Sequence, residues 1–175
     1  MLLPDRIVDR SVLAGRLGCP VCGRTYAVTD GIAELGGPTP SASGPTSLTP
    51  AAMHALLGLA GPGGYAALVG SAVEAWRGLS DALAGVALVG VNPPAGVADA
   101  APALSVVRAP LIPLRARTLR GVVLGAEVSA DGHWVREAAR ATLPGLRVVG
   151  QGPEPALPEL ELLASAEGHW VAARR

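Results

Sequence analysis

Five short aliphatic runs, none of them alternating polar with apolar, constrain this chain more than any other feature. They cover residues 65–69, 86–91, 104–107, 121–124 and 146–149. A strand with one wet face alternates at period two, whereas an unbroken run of Val, Leu and Ala suits a strand covered on both faces. Such strands pair in parallel and need crossover connections, so helices should lie between them. Two segments with helical spacing, 73–83 and 133–141, occupy those places, and a poorer third candidate lies at 97–101. Thr49-Pro50 reads as an N-cap followed by a proline at the first helical position, opening a helix expected to end at Gly61. Past Gly152, the runs 159–165 and 169–173 flank Ala166-Glu167-Gly168, which predicts a closing antiparallel hairpin. The expected fold class is α/β, a Rossmann-like doubly wound sheet with that hairpin at one side.

Composition narrows the function classes. Half of the residues are hydrophobic (50%) and mean hydropathy is +0.40, enough for one sizeable core and against disorder. Aromatic content is 3% with no Phe, so Leu, Val and Ala must fill that core and stacking platforms for bases are scarce. The formal net charge is +0, so no broad basic field exists to collect a phosphate backbone, and nucleic acid is excluded as the expected partner. No apolar stretch reaches about 18 residues, which argues against membrane insertion. The first residues lack the apolar core of a secretory signal, and two cysteines do not make a disulfide framework; the expectation is a cytoplasmic protein.

The run Gly36-Gly37-Pro38-Thr39-Pro40-Ser41-Ala42-Ser43-Gly44-Pro45 can neither hold a helix nor pair as a central strand. It divides the chain into a module at 1–35, a linker at 36–46 and a main domain at 47–175.

In the first module, Cys19-Pro20-Val21-Cys22-Gly23 has the form of a metal knuckle, two thiolates three positions apart with a glycine that lets backbone amides turn toward sulfur. Zinc takes four ligands, and a single knuckle supplies two. His54, His133 and His169 all lie beyond the linker with no ligand spacing among themselves. The pair therefore reads as a metal-free turn, or as half of a zinc site shared between two chains. Redox chemistry fits poorly, because it wants the first thiol at a helix N-terminus and residues 24–31 read as strand and turn. Residues 19–35 resemble the second half of the Trm112-like zinc ribbons, whose pattern is Cys-x-x-Cys-Gly-x-x-Tyr-Pro-Ile-x-Asp-Gly-Ile-Pro. In that family an earlier Cys-x-x-Cys supplies the other two ligands, and residues 1–16 here contain no cysteine. The resemblance implies a small β-rich ribbon remnant in front of the main domain. Ribbons of this kind occur as activator subunits of methyltransferases and fused ahead of methyltransferase domains.

From residue 51 onward the chain is similar in layout to the class I methyltransferases that use S-adenosylmethionine (SAM). That likeness implies a cofactor site held by Gly70, Ala72, Asn92 and Ala109, and the positions can be compared singly. The family's first strand ends in an acidic residue and a Gly-x-Gly-x-Gly turn, where a side chain would block the cofactor. Gly70 matches the first glycine, but Leu68 stands at the acidic position, Ala72 at the second glycine and Glu74 at the third. The second strand should end in an Asp or Glu that accepts both ribose hydroxyls; Asn92 is there. Ala109 takes the place of the acidic residue near the adenine amino group, and Glu127 is the polar group left where catalytic residues tend to lie. The run Leu143-Pro144-Gly145-Leu146 resembles the family's turn before its fifth strand.

Three functions follow as expectations. The first is a methyltransferase-fold protein with an eroded donor site, a non-catalytic binding or assembly protein with no cofactor and with a protein partner or a second copy. The second is an active SAM-dependent methyltransferase with an atypical pocket, using Gly70, Asn92 and catalytic Glu127. The third is a dimeric scaffold in which Cys19 and Cys22 of two chains share one zinc. Two further motifs are read as structural. His133-Trp134 and His169-Trp170 repeat one dipeptide, with the indoles expected in the core and the histidines capping or facing water. Gly61-Pro62-Gly63-Gly64 precedes its strand and lacks a following Lys-Ser or Lys-Thr, so it is a turn and not a phosphate loop.

Overall fold

Each aliphatic run predicted as a strand forms one, and the reason the runs do not alternate is visible in the packing. The structure is a computed structural model that describes residues 1–9, 11–37, 46–95, 97 and 104–175. In chain order it has β1 (Leu2–Val8), β2 (Ser11–Gly18), β3 (Thr25–Thr29), β4 (Ile32–Glu34), α1 (Pro50–Leu57), β5 (Tyr65–Val69), a 3₁₀ segment (Gly70–Ala75) and α2 (Trp76–Ala82). There follow β6 (Ala87–Val91), β7 (Leu104–Arg108), β8 (Leu119–Leu124), α3 (Ala126–Ser129), α4 (Gly132–Ala141), β9 (Thr142–Gln151), β10 (Leu160–Ala166) and β11 (His169–Arg174). On β5, Ala66 and Leu68 enter one apolar cluster with Met53, Leu57, Trp76 and Leu79, while Ala67 and Val69 enter another with Val122, Trp134, Val148 and Trp170. Both faces of the sheet's centre are covered, so successive residues of these strands are buried alternately above and below. Each such Leu or Val contributes about 1.5–3 kcal/mol relative to exposure.

The sheet runs β1-β2-β3-β4-β7-β6-β5-β8-β9-β11-β10. Its centre, from β4 through β7, β6, β5 and β8 to β9, is parallel throughout, and β11 and β10 close it as an antiparallel hairpin. The chain lays β6 and then β7 outward on one side of β5, then returns to place β8 and β9 on the other side. The winding therefore reverses between β5 and β8. In open α/β sheets the crevice at the carboxyl ends of the strands flanking such a reversal is where ligands bind.

Local departures from expectation have local causes. The first helix stops three residues early, because Gly58 at φ 59 takes the left-handed C-cap and donates its N–H to the His54 carbonyl. Its start is as predicted, with Thr49 Oγ1 accepting from the Ala52 N–H at 3.2 Å. The helix expected at 73–83 opens as a 3₁₀ turn at Gly70 and becomes α-helical only from Trp76. The last parallel strand is longer than expected, and the Leu143-Pro144-Gly145 turn lies inside it as a bulge, since pairing jumps from Leu119↔Thr142 to Gly121↔Arg147. All but the first residue of the helix candidate at 97–101, and most of the 36–46 segment, fall outside the described residues. β4 pairs in parallel with β7 and Glu34 bonds Arg108 at 2.7 Å, so the strands of the first module continue the main sheet.

The glycine turn before β5 has the polarity opposite to a phosphate loop. The Arg120 guanidinium donates to the carbonyls of Ala60, Gly61, Pro62 and Gly63, so the loop presents acceptors to a cation and not amides to an anion. Trp134 and Trp170 are buried as expected. Their histidine neighbours tie down loops: His133 Nε2 lies 2.8 Å from the Pro110 carbonyl, and His169 Nε2 lies 2.8 Å from Ser47 Oγ. Among the described residues no helix is long and apolar enough to cross a membrane.

Candidate functional site

The carboxyl ends of β5 and β8 gather Gly70, Ser71, Gly125 and Glu127. Gly70 has φ 66, a conformation that costs a residue with Cβ about 1 kcal/mol or more. A Cβ there would also collide with the Glu127 carboxylate, and one on Gly125 would come within 2.8 Å of the same group. Two glycines thus cradle one carboxylate. Glu127 Oε1 accepts from the Ser71 N–H at 2.6 Å and Oε2 from the Ser71 hydroxyl at 2.8 Å. An anion at the start of a 3₁₀ turn meets N–H groups that have no partner within the turn, which is why the carboxylate settles there.

The second strand-end position is also engaged from within. Asn92 is 2% exposed and held at φ 53, which Asn tolerates better than most residues. Its Nδ2 donates to the Ala109 carbonyl at 2.8 Å, and its Oδ1 accepts from the Ala109 N–H at 2.9 Å. The ribose and adenine positions of the SAM comparison therefore bond to each other. Leu68 and Ala72, at the other compared positions, face the first apolar cluster, fully buried. Glu74 is exposed and accepts from the Thr46 N–H at 3.4 Å. Of the residues compared from the sequence, the structure brings together Gly70 with Glu127 and Asn92 with Ala109. Ser71 and Gly125, which complete the carboxylate cradle, were not singled out in the sequence; the polarity switch after β8 at Glu127 was their only signal.

The cysteines lie far along the sheet, at the turn joining β2 to β3. Cys19 donates its N–H to the Arg24 carbonyl, and Gly23, at φ 69, donates to the Cys19 carbonyl at 3.0 Å. Backbone N–H groups of Cys22 and then Val21 point at the Cys19 sulfur and hold its thiol below the ordinary value. That is knuckle geometry, yet among the described residues no set of three or more Cys, His, Asp or Glu is placed to hold an ion. Two thiolates do not complete a tetrahedral zinc site within one chain. Because the Cys19 thiol is shifted down, its alkylation should persist to lower pH than that of an unstructured cysteine peptide. Iodoacetamide labelling followed by mass spectrometry across pH 6 to 9 reads this out, and coincident profiles would show that the amides do not act on the sulfur.

One further cluster was not anticipated. Ser47 Oγ donates to Gln151 Oε1 at 2.6 Å and lies 2.8 Å from His169 Nε2, beside a groove of about 430 Å³ between α1 and the hairpin. With its proton on Gln151, the serine oxygen accepts from the imidazole. The histidine is then a donor, the reverse of a nucleophile–base pair.

Comparison with known proteins fits this topology. Geranyl diphosphate methyltransferase, solved with SAM, superposes with a TM-score of 0.54 at 12% identity over 72% of this chain and 84% of that one. A putative S-adenosyl-L-methionine-dependent methyltransferase from Methanococcus maripaludis gives a TM-score of 0.52 at 14% identity, over 72% and 83%. This chain has the class I methyltransferase fold. A putative methyltransferase from Haloferax volcanii, solved with the Trm112 methyltransferase activator, matches at 21% identity and TM-score 0.46, over 58% of this chain. The match covers 50% of that longer protein, so the chain spans about half of its length. No protein-family model matches the chain, and no curated protein does.

Proposed function

We propose that this chain is a methyltransferase-fold protein that works by binding or assembly and not by methyl transfer. The observation that carries the reading is the reciprocal pair between Asn92 and Ala109. A ribose-binding residue must offer acceptors to the ligand, and here Oδ1 takes the Ala109 N–H while Nδ2 is committed to the Ala109 carbonyl. Breaking that buried pair to admit a ligand costs about 1–3 kcal/mol for each group left unsatisfied. The Glu127 carboxylate adds to the argument: it already holds the Ser71 amide and hydroxyl that an incoming anionic group would need.

A role in assembly is supported by the far edge of the sheet. β1 is exposed along its whole length, with Ile7 at 57% and Val8 at 42% accessible and Leu2 and Leu3 beside them. Exposed aliphatic side chains on a terminal strand favour a protein partner or a second copy. The competing reading is a SAM-dependent enzyme using Glu127, and titration calorimetry separates the two. No heat is expected with SAM or its demethylated product up to about 1 mM, and a Kd near 1 μM, about −8 kcal/mol, would overturn the proposal.

A further inference from the structure

A concave site lies on the α4 side of the sheet, near the amino end of β8 and therefore away from the strand ends described above. It is a cleft of about 650 Å³ whose lining includes Arg117, Arg136, Arg140, Arg174, Glu137 and Glu159. The volume is within the usual range for small-molecule sites.

The charges divide into those that build the cleft and those that face it. Arg140 is structural: it donates to both Glu137 oxygens and to the carbonyls of Ile112 and Leu114, at 2.8–2.9 Å. Glu137 also accepts from the Ile112 N–H. Burial pushes its carboxyl up, but Arg140 and that amide outweigh the effect and hold it below the ordinary value. This pair is neutral overall and pins the loop after β7 to α4. Among the described residues, Arg117 and Arg136 make no side-chain hydrogen bond or ion pair, while Arg174 donates Nη1 to the carbonyls of Glu159 and Arg175, at 3.1 and 3.0 Å, and keeps a buried Nε without a partner. Glu159 is exposed, so three arginines stand against one carboxylate in a concave surface.

We propose that this cleft binds a small molecule bearing a diphosphate or an equivalent pair of phosphoryl groups, clamped by Arg117 and Arg136 with Arg174 as the third positive group. Guanidinium forks match phosphoryl oxygens bidentately, and converging like charges on low-dielectric walls attract multivalent anions most strongly. With a formal net charge of +0 the chain has no overall positive field to gather a polyanion, which favours a compact ligand over a nucleic-acid backbone. The inference stands apart from the reading of the donor positions, with which the cleft shares no lining residue.

The test is calorimetric titration of the full chain with inorganic pyrophosphate, with citrate as a polycarboxylate of similar charge. Pyrophosphate should bind with a Kd in the micromolar range, citrate about tenfold more weakly, and Arg117→Ala or Arg136→Ala should weaken pyrophosphate by about tenfold or more. Arg136→Lys should recover part of the loss, since it restores the charge without the fork. Arg24→Ala, an exposed arginine at the cysteine turn, should leave binding unchanged. Absence of heat at about 5 mM pyrophosphate, citrate binding of equal strength, or affinity unaltered in both alanine variants would overturn the assignment.

Discussion

Asn92→Asp should destabilise the protein by about 3 kcal/mol at pH 7 and should not create a SAM site. The substitution restores the acidic residue expected at this strand end, and on a comparison of sequences alone it would be a repair. The structure gives it the opposite sign. Nδ2 donates to the Ala109 carbonyl at 2.8 Å, so a carboxylate oxygen in its place would face another acceptor in a position 2% exposed. Only the protonated carboxyl reproduces the native pattern, donating to the Ala109 carbonyl while accepting the Ala109 N–H. The folded-state pKa of the introduced group is therefore raised above the unfolded value of about 3.9. Between those two values the folded state binds more protons than the unfolded one, so stability falls as pH rises through that window. The difference from wild type should thus be smallest near pH 4 and grow toward neutrality. Urea unfolding of both proteins at several pH values reads this directly. A variant within about 1 kcal/mol of wild type at pH 7 that also bound SAM would show Asn92 to be free to serve a ligand.

The contrast between what was legible in the sequence and what was not follows from the range of the interactions. The strands of the parallel core could be read because burial on both faces writes itself into consecutive residues, as in the buried run Ala66, Ala67, Leu68 and Val69 of β5. Thr49-Pro50 likewise encodes a helix start within a few positions, and the structure places the cap there. The end of that helix needed one more local rule: the first glycine able to turn left-handed, Gly58, wins over the later Gly61. Site chemistry obeyed no such local rule. Nothing near Asn92 in sequence says that its partner is Ala109, 17 residues away, and nothing near Glu127 points to Ser71, 56 residues away. Position-by-position comparison could state which residues occupy the donor positions, but only the fold shows that those residues bond to one another. The paired glycines at 70 and 125 are similar. Each is an ordinary turn residue in sequence, and together they make room for one carboxylate. The arginine cleft was hidden for the same reason, since Arg117, Arg136 and Arg174 come from a loop, a helix and the last strand.

Trp170→Ala should produce the largest loss of stability of any single truncation considered, about 3–5 kcal/mol. Trp170 is 1% exposed on β11, directly opposite Gly150 of β9, and its indole lies over that glycine within the second apolar cluster. A Cβ on Gly150 would come within 2.9 Å of Trp170 Cη2, so the two residues are fitted to each other as large and small halves of one contact. Gly150→Ala alone should therefore cost about 1–3 kcal/mol by overpacking. In the Trp170→Ala background the same change fills part of the cavity and should cost little or even stabilise. The double-mutant cycle should show a coupling of about 2 kcal/mol, where two independent sites would show none. Trp170→Phe separates shape from polarity. The indole Nε1 is buried with no partner among the described residues, so removing its N–H relieves an unsatisfied donor and offsets part of the lost volume. A net cost near 1 kcal/mol is expected for Trp170→Phe by urea midpoint, whereas a cost equal to that of alanine would mean that Nε1 does have a stabilising partner in solution.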